Sequence, residues 1–241
     1  MNTNLQKTAF ITGATSGIGQ ATAIAFAKLG FKLVITGRRQ ERLDALQAEL
    51  SMLVPVYTLN FDVRDAQAAE AAINSLPAEF KVIDILVNNA GNAHGRDPIQ
   101  TGKLEDWDAM IDINVKGLLY VSRQIIPGMV ERKSGHIVNI GSIAGQDIYP
   151  MGNVYCGSKA AVDAITTGMR LDLNPFGIKV TCINPGLVET EFSLVRFKGD
   201  AQTANAVYNG ITPLTAHDVA DVISFAVTRP AHVVLADHTP K

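Results

Sequence analysis

Tyr155 and Lys159 are the two residues whose types and spacing could do chemistry together. If residues 155–159 form a helix, the four-residue separation places the phenol and the ammonium side by side on one face. A free phenol titrates at about pH 10, and each unit of pKa shift toward neutrality requires about 1.4 kcal/mol. An adjacent cation in a partly dry cleft can supply that free energy, so Tyr155 could exchange a proton with a carbonyl or alcohol oxygen. With five tyrosines in the chain, chance supplies this spacing roughly one time in four, so the pair alone does not establish a site.

A glycine-rich turn lies near the start of the chain. The apolar run 8–12 predicts a strand, Gly13, Gly17 and Gly19 follow it, and the alanine-rich segment 20–29 predicts a helix. Glycines let the backbone pass close to a pyrophosphate, and the helix start offers unpaired N–H groups and a positive dipole end. The spacing G-x-x-x-G-x-G differs from the usual dinucleotide-binding G-x-G-x-x-G, so a purely structural turn stays open as an alternative.

Two arginines follow the second predicted strand, residues 31–36. At this position NAD-binding sites commonly place an acidic residue for the ribose 2′-hydroxyl, whereas this chain has Arg38 and Arg39. A guanidinium group matches a phosphate bidentately, so the pair favours the 2′-phosphate of NADP over NAD. The alternative is a solvated basic pair that opens the predicted helix 40–50.

Asp62 follows the third predicted strand, residues 55–60, at the strand end where ligands of doubly wound sheets bind. Its carboxylate could accept a hydrogen bond from the amino group of an adenine. The alternative is that Asp62 caps the predicted helix 65–76, although Asp65 fits that position better.

Strands and helices alternate along the rest of the chain. Further strands are predicted over 83–87, 135–140 and 177–183, and a final helix over 219–227. Six such alternations without a linker or repeat predict an α/β fold, a single-domain Rossmann-type doubly wound parallel sheet with helices on both faces. The domain is expected to span residues 1–241, and residues 187–210 are expected to form a mobile lid over the cofactor.

Polar residues follow two of these strands and interrupt one helix. Residues 88–91 come after the fourth strand and Ser142 after the fifth, so both are expected at the same sheet edge as the glycine turn. A long helix is predicted over residues 105–130. Asn114 is a poor helix former in its middle, so it is expected either to make a specific hydrogen bond or to bend the helix.

The composition excludes several classes of protein. The chain has 241 residues, 47% of them hydrophobic, and a formal charge of -2, which argues against nucleic-acid binding. Two cysteines are too few for a disulfide framework, and the start of the chain lacks the apolar core of a signal peptide. No uncharged apolar run reaches the length of a membrane span. The prediction is a cytoplasmic protein with no membrane or nucleic-acid partner and no metal site.

Taken in order, these motifs resemble the short-chain dehydrogenase/reductase family over nearly the whole chain. The motifs that carry the resemblance are residues 12–19, residues 88–91, Asn114, Ser142, Tyr155 and Lys159. The resemblance implies hydride transfer between a nicotinamide and a carbonyl or alcohol of a small molecule.

The resemblance also implies a role for each residue of the site. Tyr155 would be the general acid or base, Lys159 would lower its pKa and hold the nicotinamide ribose, and Ser142 would hydrogen-bond the reacting oxygen. Asn114 would hold a water that relays protons from Lys159. The implied cofactor is NADP, and its expected contacts are Gly13, Thr15, Ser16, Gly17, Ile18, Gly19, Arg38, Arg39, Asp62, Val63, Asn89, Ala90, Gly91, Tyr155, Lys159, Pro185, Gly186, Val188 and Thr190.

Within the family the chain is most similar to the NADP-dependent 3-hydroxy acid dehydrogenase group. That group includes serine and L-allo-threonine dehydrogenases and malonic semialdehyde reductases. The segments that carry this narrower resemblance are residues 37–43, 127–132, 152–155, 190–193, 195–200 and 230–233.

The narrower resemblance implies a substrate and an assembly. The substrate would be a small 3-hydroxy acid or its 3-oxo counterpart held at Ser142 and Tyr155, and Arg196 or Lys198 would bind its carboxylate. The assembly would be a homo-oligomer, a tetramer as in the family. Two alternatives stay open: a reductase of other carbonyl compounds such as 3-oxoacyl thioesters or ketones, and a regulator that binds NADPH without turnover.

Overall fold

A computed structural model describes residues 6–240 of the chain. The strands are β1 (Thr8–Ile11), β2 (Lys32–Gly37), β3 (Val56–Asn60), β4 (Ile85–Asn88), β5 (Gly135–Ile140), β6 (Ile178–Ile183), β7 (Val188–Glu189), β8 (Leu214–Thr215) and β9 (Asp237–His238). The helices are α1 (Gly17–Lys28), α2 (Gln40–Leu50), α3 (Ala66–Asn74), α4 (Leu104–Ile111), α5 (Leu118–Arg132), α6 (Asn153–Leu173), α7 (Glu191–Arg196), α8 (Ala201–Ala206) and α9 (Ala216–Thr228). The six predicted strands agree with β1 to β6 to within two residues.

Within residues 6–240, seven strands pair in parallel in the order β3-β2-β1-β4-β5-β6-β9. The seventh strand, β9, was not predicted; it has two residues, which pair with Cys182 and Ile183 of β6. Two residues are too few to give a periodic sequence pattern. The order reverses at β1 and β4, which opens a crevice at their carboxyl ends.

Apolar layers cover both faces of the sheet, as the predicted fold class requires. On one face Phe26 of α1, Leu46 of α2 and Ile223 of α9 pack in one buried cluster with residues of the strands. On the other face Ala69 of α3 and Val121 of α5 pack in a second cluster. Strands buried on both faces read as continuous apolar runs, which explains why β1 to β6 could be recognised. The doubly wound α/β prediction is therefore confirmed.

The long helix predicted over 105–130 is continuous but changes its winding. A π-helical turn, Asp112–Gly117, joins α4 to α5 and contains Asn114. Such turns widen the helix locally and occur often at functional sites. Asn114 also makes specific hydrogen bonds, which is one of the two effects expected of this residue.

Residues 187–210, the segment predicted as a lid, contain β7, α7 and α8. β7 pairs in parallel with β8, outside the main sheet. None of the helices within residues 6–240 is long and apolar enough to cross a membrane.

Candidate active site

A cavity of about 960 Å³ lies at the carboxyl ends of the central strands. Most residues predicted to bind cofactor or substrate line it. Those lining residues are Gly13, Thr15, Ser16, Gly17, Ile18, Arg38, Arg39, Asp62, Val63, Asn89, Ala90, Gly91, Ser142, Tyr155, Lys159, Pro185, Gly186, Val188, Thr190 and Arg196. Gly19 and Asn114 are not among the lining residues. Gly19 packs against Asn89 and Asn114 hydrogen-bonds with Asn92, and Asn89 and Asn92 both line the cavity.

The glycine turn is packed so closely that side chains cannot enter it. Gly13 has φ +65°, and a Cβ there would lie 2.9 Å from Cα of Ala90. A Cβ on Gly19 would lie 2.4 Å from Nδ2 of Asn89, which explains why Gly19 is needed although it does not face the cavity. The Asn89 amide donates to the carbonyl oxygens of Thr12 (2.8 Å) and Gly13 (3.2 Å) and so ties the turns after β1 and β4 together.

The start of α1 is left open toward the cavity. The N-cap Ser16 makes no side-chain capping hydrogen bond to the helix. The first N–H groups of α1 therefore keep their capacity to bind an anion, and the close glycines let a pyrophosphate approach them. This cradle fits the diphosphate of a dinucleotide.

The two arginines after β2 are held in different ways. Arg39 donates to Oγ1 of Thr15 (3.0 Å) and to Oγ of Ser16 (2.7 Å), beside the glycine turn. It also pairs with Glu191, 2.9 Å away. Arg38 lies 3.5 Å from Asp62. Both guanidinium groups line the cavity, as expected for a 2′-phosphate site.

The Asp62 carboxylate is engaged by arginines. Arg64 approaches it to 2.6 Å, and, against the opposing effect of burial, the hydrogen bonds from Arg64 lower the pKa of Asp62. Capping of α3 falls to Asp65, whose side chain accepts from the N–H groups of Gln67 and Ala68. The alternative in which Asp62 caps this helix was therefore wrong.

Tyr155 and Lys159 lie on α6 one turn apart, as their spacing predicts. Tyr155 is buried against Phe192, with ring centroids 5.7 Å apart. Burial raises the pKa of Tyr155 to about 12, although its hydrogen bond with Ser142 acts in the lowering direction. The side chain of Ser142 also accepts from the N–H of Ala144 (3.1 Å), which fixes the hydroxyl at the end of β5.

The Lys159 ammonium does not act on Tyr155 as expected. It is buried and donates to the carbonyl oxygen of Ile140 at 2.8 Å. Burial lowers the pKa of Lys159 to about 8. The expected lowering of the Tyr155 pKa by this cation is thus not seen, because the ammonium is directed at a backbone carbonyl and burial dominates the phenol.

Asn114 connects three parts of the site. Its Oδ1 accepts from the N–H of Asn92 (2.8 Å), and its Nδ2 donates to the carbonyl of Asn92 (2.9 Å) and to Oγ of Ser158 (3.0 Å). Ser158 lies next to Lys159 on α6. A Cβ on Gly91 would lie 3.0 Å from Oδ1 of Asn114 and 3.6 Å from Nζ of Lys159. Gly91 therefore leaves room for these two polar groups to lie close to each other.

The two candidate cations of residues 187–210 differ in their contacts. Arg196 places its guanidinium 5.5 Å from the ring centroid of Tyr155 and 5.4 Å from that of Tyr149. Within residues 6–240 it has no ion pair. Lys198 instead pairs with Asp106 at 2.8 Å. Of the two, Arg196 is the cation beside the ring of Tyr155.

Three charged residues near the site were not predicted as site residues. Arg96 lies 5.6 Å from the ring of Tyr149, in a loop without a recognisable pattern. Arg42 and Glu191 form an ion pair of 2.8 Å beside Arg39. The i,i+3 spacing of Arg39 and Arg42 at the start of α2 was a signal that could have identified Arg42.

A glycine cradle, two arginines and a serine, tyrosine and lysine at one edge of a doubly wound sheet define a dinucleotide-dependent oxidoreductase. The chain belongs to the short-chain dehydrogenase family: the family model described as short chain dehydrogenase matches residues 7–200. The family suggested by the motifs is thereby confirmed.

Several relatives are more specific. Sulfoacetaldehyde reductase 2 of Chromohalobacter salexigens is 49% identical over 92% of this chain and 89% of that protein. The NADP-dependent 3-hydroxy acid dehydrogenase YdfG of Salmonella typhi is 49% identical over 92% of this chain and 90% of that protein. A solved closed form of serine dehydrogenase complexed with NADP+ superposes with a TM-score of 0.92 at 47% identity, covering 96% of this chain and 93% of that chain.

Proposed function

We propose that this chain is an NADP-dependent oxidoreductase that transfers hydride between a nicotinamide and a small 3-hydroxy acid or its 3-oxo counterpart. The observation that carries the proposal is the position of Arg196, whose guanidinium lies 5.5 Å from the Tyr155 ring in the same cavity as the glycine cradle. A cation there can hold a carboxylate while the phenol reaches the oxygen of C3, the second carbon from that carboxylate. Relatives named as acting on 3-hydroxy acids and serine support this substrate class.

Each residue of the site has a proposed task in the oxidation of an alcohol. Tyr155 takes the hydroxyl proton in its phenolate form as general base, and in the reverse reaction the phenol returns that proton to the carbonyl oxygen as general acid; Ser142 donates a hydrogen bond to the reacting oxygen. Lys159 holds the nicotinamide ribose, and Asn114 holds a water through which the proton leaves. Bound NADP supplies the hydride acceptor, and its reduced form supplies the donor for the reverse reaction.

Binding of the cofactor is proposed at the residues of the cavity wall expected from the family. The diphosphate lies on the glycine turn and the open start of α1. Arg38 and Arg39 bind the 2′-phosphate, and Asp62 accepts from the adenine amino group. We also propose that residues 187–210 close over the bound cofactor and substrate as a lid.

The relative named sulfoacetaldehyde reductase favours one extension of the substrate class. Sulfoacetaldehyde and 3-oxopropanoate both carry an anionic group one methylene away from an aldehyde. A guanidinium at a set distance from the phenol would bind either anion, because the carboxylate and the sulfonate both present oxygen atoms that accept hydrogen bonds from its N–H groups. We therefore propose short aldehydes with an anion at this spacing as substrates for reduction.

A substrate panel with two variants tests the proposal. NADP-dependent oxidation of L-serine, L-allo-threonine and 3-hydroxypropionate is compared with NAD, and reduction of sulfoacetaldehyde is compared with uncharged propanal. We expect Arg196→Ala to raise KM for the anionic substrates about tenfold or more and to leave KM for propanal unchanged. Lys198→Ala removes a charge two residues away that is already paired with Asp106, so its KM should stay within about twofold.

The opposite pattern would contradict the assignment. If Lys198→Ala raised KM for the acids and Arg196→Ala did not, the carboxylate would bind at the other cation. Turnover of propanal or of 3-oxoacyl thioesters in preference to every anionic aldehyde would favour a general carbonyl reductase. Binding of NADPH without turnover of any of these compounds would favour a regulator.

We also propose a homotetramer that works in the cytoplasm. The support is the family resemblance and the two buried free cysteines, which need no oxidising compartment. Light scattering on the purified protein measures the assembly directly. A mass of one or two chains at micromolar concentration would contradict the tetramer.

A further inference from the structure

Glu191 pairs with Arg39, one of the two arginines expected to bind a 2′-phosphate. Its carboxylate lies 2.9 Å from Nη1 of Arg39 and 2.8 Å from Nη1 of Arg42. Arg39 is held at the same time by the hydroxyl groups of Thr15 and Ser16. The hydrogen bonds from Arg39 and then from Arg42 lower the pKa of Glu191. An anion from another part of the chain therefore binds the arginine predicted to select NADP.

That anion is carried by the segment that also holds the substrate cation. Glu191 is the first residue of α7 and Arg196 is the last. Five steps of a helix span about 7.5 Å, so one short helix reaches from Arg39, Arg42 and the glycine turn to the ring of Tyr155. The residue before α7, Thr190, packs against the glycine turn, since a Cβ on Gly17 would lie 3.3 Å from its Cγ2.

A 2′-phosphate and the Glu191 carboxylate need the same donors. Arg39 has one guanidinium group, and this group already donates hydrogen bonds to Thr15, Ser16 and Glu191. The phosphate carries about two negative charges and accepts several hydrogen bonds, whereas the carboxylate carries one. A phosphate within reach of Arg39 would therefore displace the carboxylate from it and leave Glu191 on Arg42.

We propose that Glu191 is a specificity-determining placeholder, that is, a carboxylate that binds Arg39 and Arg42 when no 2′-phosphate is present. When NADP binds, its 2′-phosphate displaces Glu191 from Arg39. This inference rests on the proposed use of NADP. The exchange links the first residue of α7 to the cofactor, so the 2′-phosphate and the position of Arg196 are coupled through one helix. NAD, which lacks the phosphate, leaves Glu191 on Arg39.

Binding of two cofactor fragments measures the competition without any turnover. Calorimetry with adenosine 2′,5′-bisphosphate and with 5′-AMP compares ligands that differ by the 2′-phosphate alone. We expect Glu191→Gln to bind the bisphosphate about fivefold more tightly than the wild type and to bind 5′-AMP equally well. Glu189→Gln is the matched control, because Glu189 is exposed, lies two residues away and has no ion pair within residues 6–240.

Hydrogen exchange of residues 190–197 gives a second readout. In the wild type the bisphosphate should change the exchange of this segment more than 5′-AMP does. In Glu191→Gln the two ligands should have the same effect, because the carboxylate that links α7 to the arginines is gone.

The outcomes separate this inference from the proposed function. If the wild type bound both fragments equally, the NADP preference would fail, and the placeholder role would fail with it. If the wild type preferred the bisphosphate but Glu191→Gln matched Glu189→Gln, only the placeholder role would be overturned. Weaker binding by Glu191→Gln would also overturn it, because Glu191 would then orient the arginines for phosphate.

Discussion

The two ends of the cavity differ in their access to water. The buried end holds Tyr155 and Lys159, whose residues expose less than a tenth of their surface. The exposed end holds Arg39, Arg42 and Glu191, whose side chains are 43–45% exposed. A charge at the buried end is poorly solvated, so its protonation responds strongly to its surroundings, whereas charges at the exposed end are stabilised by water.

The pKa values show this difference directly. Burial lowers the pKa of Lys159 to about 8 and raises that of Tyr155 to about 12. At the exposed end guanidinium and carboxylate groups form ion pairs in contact with water, where each pair is worth about 1 kcal/mol or less. The buried end is therefore suited to proton transfer. The exposed end is suited to distinguishing ligands that differ in charge.

Tyr155→Phe should have the largest effect, and only on chemistry. Removal of the phenolic proton donor and acceptor should lower kcat by about a thousandfold. Affinity for adenosine 2′,5′-bisphosphate should stay within about twofold, because that fragment binds at the exposed end. Steady-state kinetics and calorimetry measure the two quantities. Tyr149→Phe is the control: Tyr149 also lines the cavity, and its buried hydroxyl has no partner within residues 6–240. A loss of kcat in Tyr149→Phe as large as that in Tyr155→Phe would remove the special role of Tyr155.

Lys159→Met should reduce activity and at the same time stabilise the fold. The difference between the ordinary pKa of 10.5 and about 8 corresponds to about 3 kcal/mol of cost for burying the charge at pH 7. Loss of the hydrogen bond to the Ile140 carbonyl should return about 1 kcal/mol of this. We therefore expect a gain of about 2 kcal/mol in unfolding free energy at pH 7, with kcat lowered about a hundredfold.

The pH dependence of this gain has a defined sign. Between pH 8 and 10.5 the folded wild type binds fewer protons at Lys159 than the unfolded chain does, so its stability rises with pH. The advantage of Lys159→Met should be complete below pH 8 and should disappear as the pH approaches 10.5. Urea denaturation at several pH values measures it. A variant less stable than the wild type at pH 7 would show that the ammonium is not costly where it lies.

Arg39→Ala tests the exposed end. Loss of one charge-assisted contact should weaken binding of the 2′,5′-bisphosphate about tenfold and leave 5′-AMP within about twofold. The pH dependence of wild-type stability assigned to Lys159 should persist, because the two ends are solvated separately. Arg123→Ala, an exposed arginine on α5, is the charge-matched control. Equal losses for the two fragments would place Arg39 at the diphosphate.

The positions of the buried end could be predicted because they follow from local periodicity. Ser142 lies two residues after the end of a buried strand, and Tyr155 and Lys159 are separated by one helical turn. The carboxyl ends of parallel strands meet at one edge, so Gly13 and Asn89 could be placed there as well. Such arguments locate a backbone position but do not give the direction of a side chain. The orientation of the Lys159 ammonium toward Ile140 could therefore not be predicted.

The exposed end could be predicted only in part, because its partners are far apart in the sequence. Arg38 and Arg39 follow a strand, but Glu191 is separated from Arg39 by 152 positions. It reaches Arg39 as the first residue of α7, which follows β7 outside the main sheet. Likewise, the match of β9 to β6 is a contact across the fold with no periodic pattern of its own. Contacts of this kind depend on packing that periodicity does not encode.

Added salt should affect the exposed end more than the buried end. This is the smallest of the predicted effects. At about 0.1 M ionic strength the screening length is about 10 Å, and at about 1 M it is about 3 Å, so exposed charges lose most of their attraction over this range. We expect the preference for the 2′,5′-bisphosphate over 5′-AMP to fall severalfold between these concentrations. Buried groups are screened much less, so the pH at which wild-type stability begins to rise, about 8 for Lys159, should move by less than about half a unit. Calorimetry and denaturation in the same salt series measure both quantities. An equal response of the two would mean that water and ions reach Lys159 as freely as they reach Glu191, and the functional division between the ends would then have no electrostatic basis.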